Sequence, residues 1–379
     1  MEGLGFDYGL NGFEVYWRDH YDWLYQCGYE LRPRYHPSWV PSWVRDPALK
    51  IKIPWCEDSV QTSRRNLMDA TRIRDGCRVM LKRVDWSIHP EEAGLNFRLS
   101  RGDLGSDPRN HAVPLPEILE PPHEGERDIF ILVMPLLSQY NDPQFRTFGE
   151  VIDFLQQVFE GVQFLHHHRI AHRDIHALNI MVDAKPLSSE EIHPVRPYKN
   201  RSFQKSVKKS TRTEHPVRYY LIDFGISRFY SADEEEPLEL PIRGIDRTVP
   251  EFKNPGIPQN PFPTDIYYLG NMIREQFILG RVGSISTTGF YGFEFLLPLV
   301  TDMVHDDPRK RPTIDEVVGR FSSVVSKLSW WKLRSRLAPY GETARESRVR
   351  WFKHTLLIIN HILRGFAPIP NPPPLPIPN

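Results

Sequence analysis

His172-Arg173-Asp174 with Asn179 after it, and then Asp223-Phe224-Gly225, decide how this chain reads. Both stretches follow apolar segments suited to presenting them. Val162 to Ile170 leads into the first, and Tyr219-Tyr220-Leu221-Ile222 into the second. The pattern supplies two carboxylates and one amide in the arrangement that phosphoryl transfer needs. Asp174 can take the proton of an attacking hydroxyl. The amide oxygen of Asn179 and the carboxylate of Asp223 can hold magnesium, which spreads the charge of a transferred phosphoryl group. A lone Asp-Phe-Gly reads equally well as a turn after a strand; its partnership with His-Arg-Asp-x4-Asn carries the signal.

Four further stretches fall in a consistent order between about Arg72 and Phe321. They are Val79-Met80-Leu81-Lys82, Val249-Pro250-Glu251, Asp265-Ile266-Tyr267-Tyr268-Leu269-Gly270 and Arg311-Pro312-Thr313. With these, the chain resembles the protein kinase family. More narrowly, Trp17 to Trp23, Asp107 to His111 and Tyr220 to Gly225 resemble fungal kinase-like proteins. The resemblance implies a bilobal α+β fold, with a small β-rich N-lobe and a larger helical C-lobe. It also implies ATP and Mg2+ as cofactors and transfer of the ATP γ-phosphoryl group to a protein hydroxyl, serine or threonine before tyrosine. Asp174 is then the base, Lys82 holds the nucleotide phosphates, and Asn179 and Asp223 hold the metal. Arg173 pairs with a phosphate on the activation segment in such proteins. The run Asp233-Glu234-Glu235-Glu236 is a candidate to replace that phosphate. Met134 would guard the back of an adenine pocket that draws backbone groups from Pro135 and Leu137; Pro135 lacks an N–H but keeps its carbonyl. Arg311 would pair with Glu251, and Asp265 would open the large central helix.

The pattern is broken in three places. No Gly-x-Gly-x-x-Gly precedes Lys82; Arg72 to Cys77 holds the single Gly76. The acid for Lys82 is open between Glu91 and Glu92, with Gly94 near the expected place. His176 stands two residues after Asp174, where kinases acting on serine or threonine carry lysine, and a largely neutral histidine offers phosphate less charge. A nucleotide-binding pseudokinase scaffold is therefore the second reading. A small-molecule kinase of the aminoglycoside or choline type is the third; such enzymes share the histidine but lack the Glu251 and Arg311 pair.

The 379 residues suffice for two lobes with extensions, and a formal net charge of zero offers nucleic acid no global attraction. Cys27, Cys56 and Cys77 are odd in number and widely spaced, which points away from a disulfide scaffold and toward a reducing compartment. The first thirty residues lack a secretory pattern, so a cytoplasmic or nuclear protein is expected.

Residues 1–60 read as an aromatic and proline-rich extension in which Trp39, Trp43 and Trp55 pack on the N-lobe, residues 61–137. Alternation at Leu49, Ile51, Ile53 and Trp55 and again from Arg78 to Val84 predicts strands, and Ile129 to Met134 predicts a strand buried on both faces. The C-lobe spans 138–325. From Thr147 onward, apolar residues at spacings of three and four predict a helix. His166-His167-His168 ends it, and neighbours pointing about 100° apart cannot share one metal ion. The stretch 185–218, with Arg196, Lys199, Arg201, Lys205, Lys208, Lys209 and Arg212, reads as a mobile basic surface insertion. Residues 326–379 form a C-terminal extension. In it Phe352, Leu356, Ile359 and Leu363 mark the face by which a helix docks on the C-lobe, or else on a membrane surface. A membrane span is excluded by length. Pro368 to Pro378 reads as polyproline for an SH3- or WW-type partner.

Overall fold

The computed structural model describes residues 9–62, 64–88, 90–122, 124–234, 236–281 and 287–371. The chain divides into two compact units, one built on a sheet and one on helices.

The sheet unit takes residues 1–93, 114–137 and 188–209. Its antiparallel sheet runs in the order β1-β2-β3-β5-β4, where β1 is Tyr29–Leu31, β2 Leu67–Arg72, β3 Arg78–Asp85, β4 Glu117–Leu119 and β5 Ile129–Pro135. Lys82 on β3 stands opposite Leu132 on β5 and Leu67 on β2. Strand β5 is covered on both faces, as its unbroken apolar run requires. Ile131 and Val133 join a cluster with Trp17, Leu24, Met68 and Leu81, while Leu132 joins Val84, Ala93 and Leu115. Residues 9–60 are thus part of this unit. Helices α1 (Gly12–Asp19) and α2 (Tyr21–Gln26) lay Trp17, Tyr21 and Leu24 on the sheet, and β1 extends it. Asn11 and Glu14 close a capping box at the start of α1. Buried Glu14 receives Arg34 at 3.1 Å and the Tyr35 hydroxyl at 2.9 Å.

The tryptophans singled out in the sequence are less central than Trp17. Trp39 and Trp43, the latter on α3 (Ser42–Arg45), meet edge to face and are half-buried, and Trp55 is exposed. Residues 47–55 form 3-10 turns in place of the expected strand. Pro47 and Pro54 remove two ladder donors, and Ile51 points to solvent.

The insertion is also more ordered than its charge suggested. Residues 188–209 fold into the sheet unit, where His193 is buried against Glu57, while Arg201 pairs with Glu191 and Lys205 with Glu190. The neighbouring 210–218 stretch belongs to the helical unit, with Val217 and Arg212 fully buried and the Arg212 guanidinium over Phe145. Leu187, Phe203 and Val217 supply the apolar anchors that a reading by charge passed over.

The helical unit takes 94–113, 138–187 and 210–379. Helix α4 (Pro90–Leu99) runs from one unit into the other, and α5 (Gly102–Ser106) follows it. The central element is α6 (Phe148–His167), capped by Thr147 where the apolar spacing predicted a helix. Around it stand α7 (Pro261–Ile273), α8 (Leu297–Met303) and α9 (Ile314–Val325), with Phe159 and Phe321 meeting edge to face. Short β6 (Ser138–Gln139), β8 (Ile180–Val182) and β9 (Tyr219–Leu221) form one sheet, while β7 (Ile170–Ala171) pairs with β10 (Arg228–Phe229). After α10 (Trp330–Arg334) comes α11 (Ala344–Leu363). It packs by Ile358 and His361. The Phe352, Leu356, Ile359 and Leu363 stripe, expected to dock on the lobe, faces solvent instead. No helix among the described residues is long and apolar enough to cross a membrane. Residues 372–379, most of the proline-rich tail read as a partner ligand, lie outside the described residues.

If Trp17 fastens residues 9–31 to the sheet, Trp17→Ala should lower unfolding free energy by about 3–5 kcal/mol in a denaturant titration. A loss under about 1 kcal/mol would mark this segment as an appendage.

Candidate functional site

The loop after β7 is built on one buried carboxylate. Asp265, in α7 and fully inaccessible, accepts the backbone N–H of His172 at 2.8 Å and that of Arg173 at 2.7 Å. His166 at the end of α6 reaches the same carboxylate at 3.1 Å. These bonds hold Arg173 in the left-handed region, with φ 68°. That conformation costs a non-glycine residue about 1–2 kcal/mol. Such a clamp offsets it, because hydrogen bonds to charged groups contribute about 1.5–3 kcal/mol each.

Asp174 follows immediately. Its Oδ1 accepts Ile245 N–H at 2.7 Å and its Oδ2 accepts Asn179 Nδ2 at 2.9 Å. Asn179 donates from the same nitrogen to the Asp174 carbonyl, also at 2.9 Å. Its amide nitrogen is therefore committed and its oxygen is the atom left for a ligand. Gly244 has to be glycine here, since a Cβ would overlap the Asp174 carboxylate. Burial pushes the Asp174 pKa up, and the negative charge of Asp223 adds to this. Ile245, Asn179 and His172 oppose it without reversing it. Asp223 itself sits at φ 66°. The His172 ring links the two stretches by accepting Asp174 N–H at Nδ1, donating from Nε2 to the Ile222 carbonyl at 3.1 Å and packing on Phe224.

Asp174 and Asp223, the second raising the proton affinity of the first, with the Asn179 amide oxygen beside them, form a donor set suited to a hard divalent cation. The residues fit magnesium.

Arg173 does have a carboxylate partner, but it is Glu239, three residues beyond the acidic run. The Arg173 guanidinium meets Glu239 at 2.7 Å, and Arg228 reaches the other oxygen at 2.5 Å. A backbone bridge to Gln259 fixes Glu239, with N···O distances of 2.9 and 2.8 Å. In the run itself, Glu234 accepts from Ser231, and Glu235 lies outside the described residues. Proximity to Asp-Phe-Gly favoured the run; the bridge to Gln259 selects Glu239.

In the sheet unit, Lys82 pairs with Glu92 on α4, which settles the choice among Glu91, Glu92 and the Gly94 position. Met134, Pro135 and Leu137 lie at the exit of β5, with Met134 half-buried against the Val84 and Leu132 cluster. Gly76 belongs to the β2–β3 turn, at φ 69°, where Arg72 and Asp75 pair. The longer β1–β2 connection, Arg32 to Asn66, contains no glycine.

His176 caps the turn Ala177–Asn179, accepting Leu178 N–H at its Nδ1. The guanidinium of Arg281, which follows the π turn ending α7, lies 3.3 Å from its Nε2. Burial and then that charge lower the His176 pKa, so the ring is neutral. With Nδ1 accepting, Nε2 carries the proton, and two donors face one another. A phosphate oxygen could accept from both. Arg281, distant in sequence and in a weak strand, gave no signal of this. The histidine run meets three separate partners: His166 reaches Asp265, His167 reaches Asp315, and His168 the Phe164 carbonyl.

Arg311 and Glu251 form the expected pair, bidentate at 2.6 and 2.8 Å and buried. The family model for protein tyrosine and serine/threonine kinases matches residues 136–239, which include Asp174, Asn179, Asp223 and Glu239. The chain is protein kinase-like. Its two units make the bilobal α+β fold of that superfamily. A light-sensor protein kinase of Ceratodon purpureus is 26% identical over 225 residues, covering 54% of this chain and 16% of that protein. The match thus spans a minor part of the relative.

Removing Arg311 leaves Glu251 charged and buried, so Arg311→Ala should cost about 3–5 kcal/mol at neutral pH. Burial raises the Glu251 carboxyl, but Arg311 outweighs it, and the pKa ends below its ordinary value. The stabilisation is therefore complete above the unfolded pKa of about 4.3 and fades as pH falls through the lower folded one. Denaturant midpoints of the two proteins should converge toward pH 3 and separate at pH 7; a constant gap would contradict this.

Proposed function

We propose that this kinase-like chain is an active enzyme that transfers the γ-phosphoryl group of ATP to a protein serine or threonine hydroxyl. The observation carrying the reading is the gathering of Asp174, Asn179 and Asp223 on one clamped loop system, with Arg173 already neutralised by Glu239. Asp174 orients the acceptor hydroxyl and takes its proton, and its raised pKa suits a base. Asn179 Oδ1 and Asp223 would hold magnesium, which spreads charge on the transferred group when bound. Lys82, positioned by Glu92, would meet the nucleotide phosphates, and Met134, Pro135 and Leu137 the adenine. Arg281 returns to the place beside His176 the positive charge that lysine carries in serine and threonine kinases. The buried Glu251–Arg311 pair favours a protein acceptor over a small molecule. The glycine-free connection from Arg32 to Asn66 is the observation that favours a second reading, a nucleotide-binding pseudokinase.

With magnesium-ATP and mixed protein acceptors, Asp174→Asn should lower turnover about 10²–10⁴-fold while keeping nucleotide affinity. Lys82→Met should lose both. Equal residual turnover in all three proteins, together with ATP-dependent thermal stabilisation of the wild type, would establish the pseudokinase. In the active case, turnover should fall as acid protonates Asp174, with the limb lying above the ordinary aspartate value of about 3.9. Arg281→Ala should lower turnover at least about tenfold, and His176→Lys in that background should restore it. Failure of His176→Lys to help would remove Arg281 from the phosphate.

A further inference from the structure

We infer that α11, with the groove beside it, is a docking surface for an anionic membrane. Two independent features meet there. The first is the apolar stripe. Val349, Phe352, Leu356, Ile359 and Leu363 recur at spacings of three and four, so they share one helix face, with Trp351 and Ile362 at its edge. All seven are exposed, from 40% for Ile362 to 81% for Leu363. A continuous apolar face of this size on a folded surface marks an interaction site.

The second feature is charge, locally one-sided in a chain whose formal net charge is zero. Arg345, Arg348, Arg350 and Lys353 on the helix and Arg364 just after it are all exposed, and the helix itself carries one acid, Glu346. Off the helix, Glu342 pairs with Arg350 and Glu214 with Arg364, which still leaves cations in excess. On the other side, Arg350 and Lys353 join Arg146 and Arg336 in lining a groove of about 920 Å³; no acid lines it, though Glu342 beside it pairs with Arg336 and Arg350. Its aromatic floor includes Tyr140, Phe145 and Phe277. A helix that sets aliphatic and aromatic side chains on one face and cations along its flanks lies in the membrane interface, with the apolar face in the acyl boundary and cations on the headgroups.

This charge pattern selects the occupant. A second copy of the chain would set a face with more cations than acids against its own kind, since Glu346, Glu342 and Glu214 answer only part of the charge. A helix face is also convex, which suits a bilayer without requiring a matching groove. In the groove, Arg146 and Lys353, which Glu342 does not hold, are placed to donate to phosphate or carboxylate oxygens of a lipid headgroup. The inference is independent of catalysis.

The full chain should co-sediment with vesicles of phosphatidylcholine containing phosphatidylserine and stay in solution with phosphatidylcholine alone, with binding falling as salt rises. Leu356→Asp with Ile359→Asp should abolish binding. Arg348→Glu with Lys353→Glu should weaken it at least about 25-fold, about fivefold per cation lost. These positions are exposed, so thermal unfolding of each variant should match the wild type, which separates lost docking from lost folding. Equal binding to both vesicles, or to neither, would overturn the proposal. So would a dimer in light scattering that Leu356→Asp dissociates, or binding to soluble polyglutamate in place of vesicles. The first would assign the face to a second copy, the second to an acidic polypeptide.

Discussion

A single buried carboxylate carries the architecture of the loop from His172 to Asn179. Asp265 is inaccessible to water, yet it is not an isolated charge: two backbone N–H groups and the His166 ring satisfy it. Inside a protein an unsatisfied carboxylate costs several kcal/mol, so removing these donors would be costly for the carboxylate as well as for the loop. The consequence runs along the chain in both directions. Arg173 is held with its side chain toward Glu239, Asp174 follows at a fixed place, and the His172 ring transmits that position to the carbonyl just before Asp223. Two stretches far apart in sequence, one at His172 to Asp174 and one at Asp223, thereby acquire a common frame from α7.

The segment between Asp223 and α7 is held by charge that the chain itself supplies. Glu239 engages Arg173 and Arg228, and the Gln259 bridge keeps it there. A carboxylate provides two acceptor oxygens to a guanidinium, which is the need a phosphate would otherwise meet. The same segment returns through Gly244 and Ile245 to Asp174, so that each oxygen of Asp174 accepts one donor. Carboxylate oxygens carry two lone pairs each. Each oxygen therefore keeps a lone pair beyond its bond to Ile245 or Asn179, and those bonds fix the direction in which the remaining lone pairs face.

Much of this was legible because it is local. His172 to Asn179 and Asp223 to Gly225 are short, and Thr147 with its apolar spacing declares α6. The Glu251–Arg311 pair was also within reach, because two motifs each contribute one end. What escaped depends on tertiary contact. Glu239 is one acid among several, and only the bridge to Gln259 distinguishes it from Asp233 or Glu234. Arg281 comes beside His176 through a π turn that no spacing announces. The strand expected over Leu49 to Trp55 had the right alternation, but Pro47 and Pro54 withdrew the donors a ladder needs. In α11, periodicity located the helix correctly and its packed face wrongly, since a stripe shows that residues share a side without showing what covers it.

Amide hydrogen exchange at His172 and Arg173, resolved by NMR, tests the central claim most directly. If Asp265 holds both N–H groups, they should exchange no faster than the α6 core amides, by global unfolding, and in Asp265→Ala they should exchange at rates typical of loops. Exchange of either amide within the dead time in the wild type, or protection unchanged in Asp265→Ala, would contradict the account.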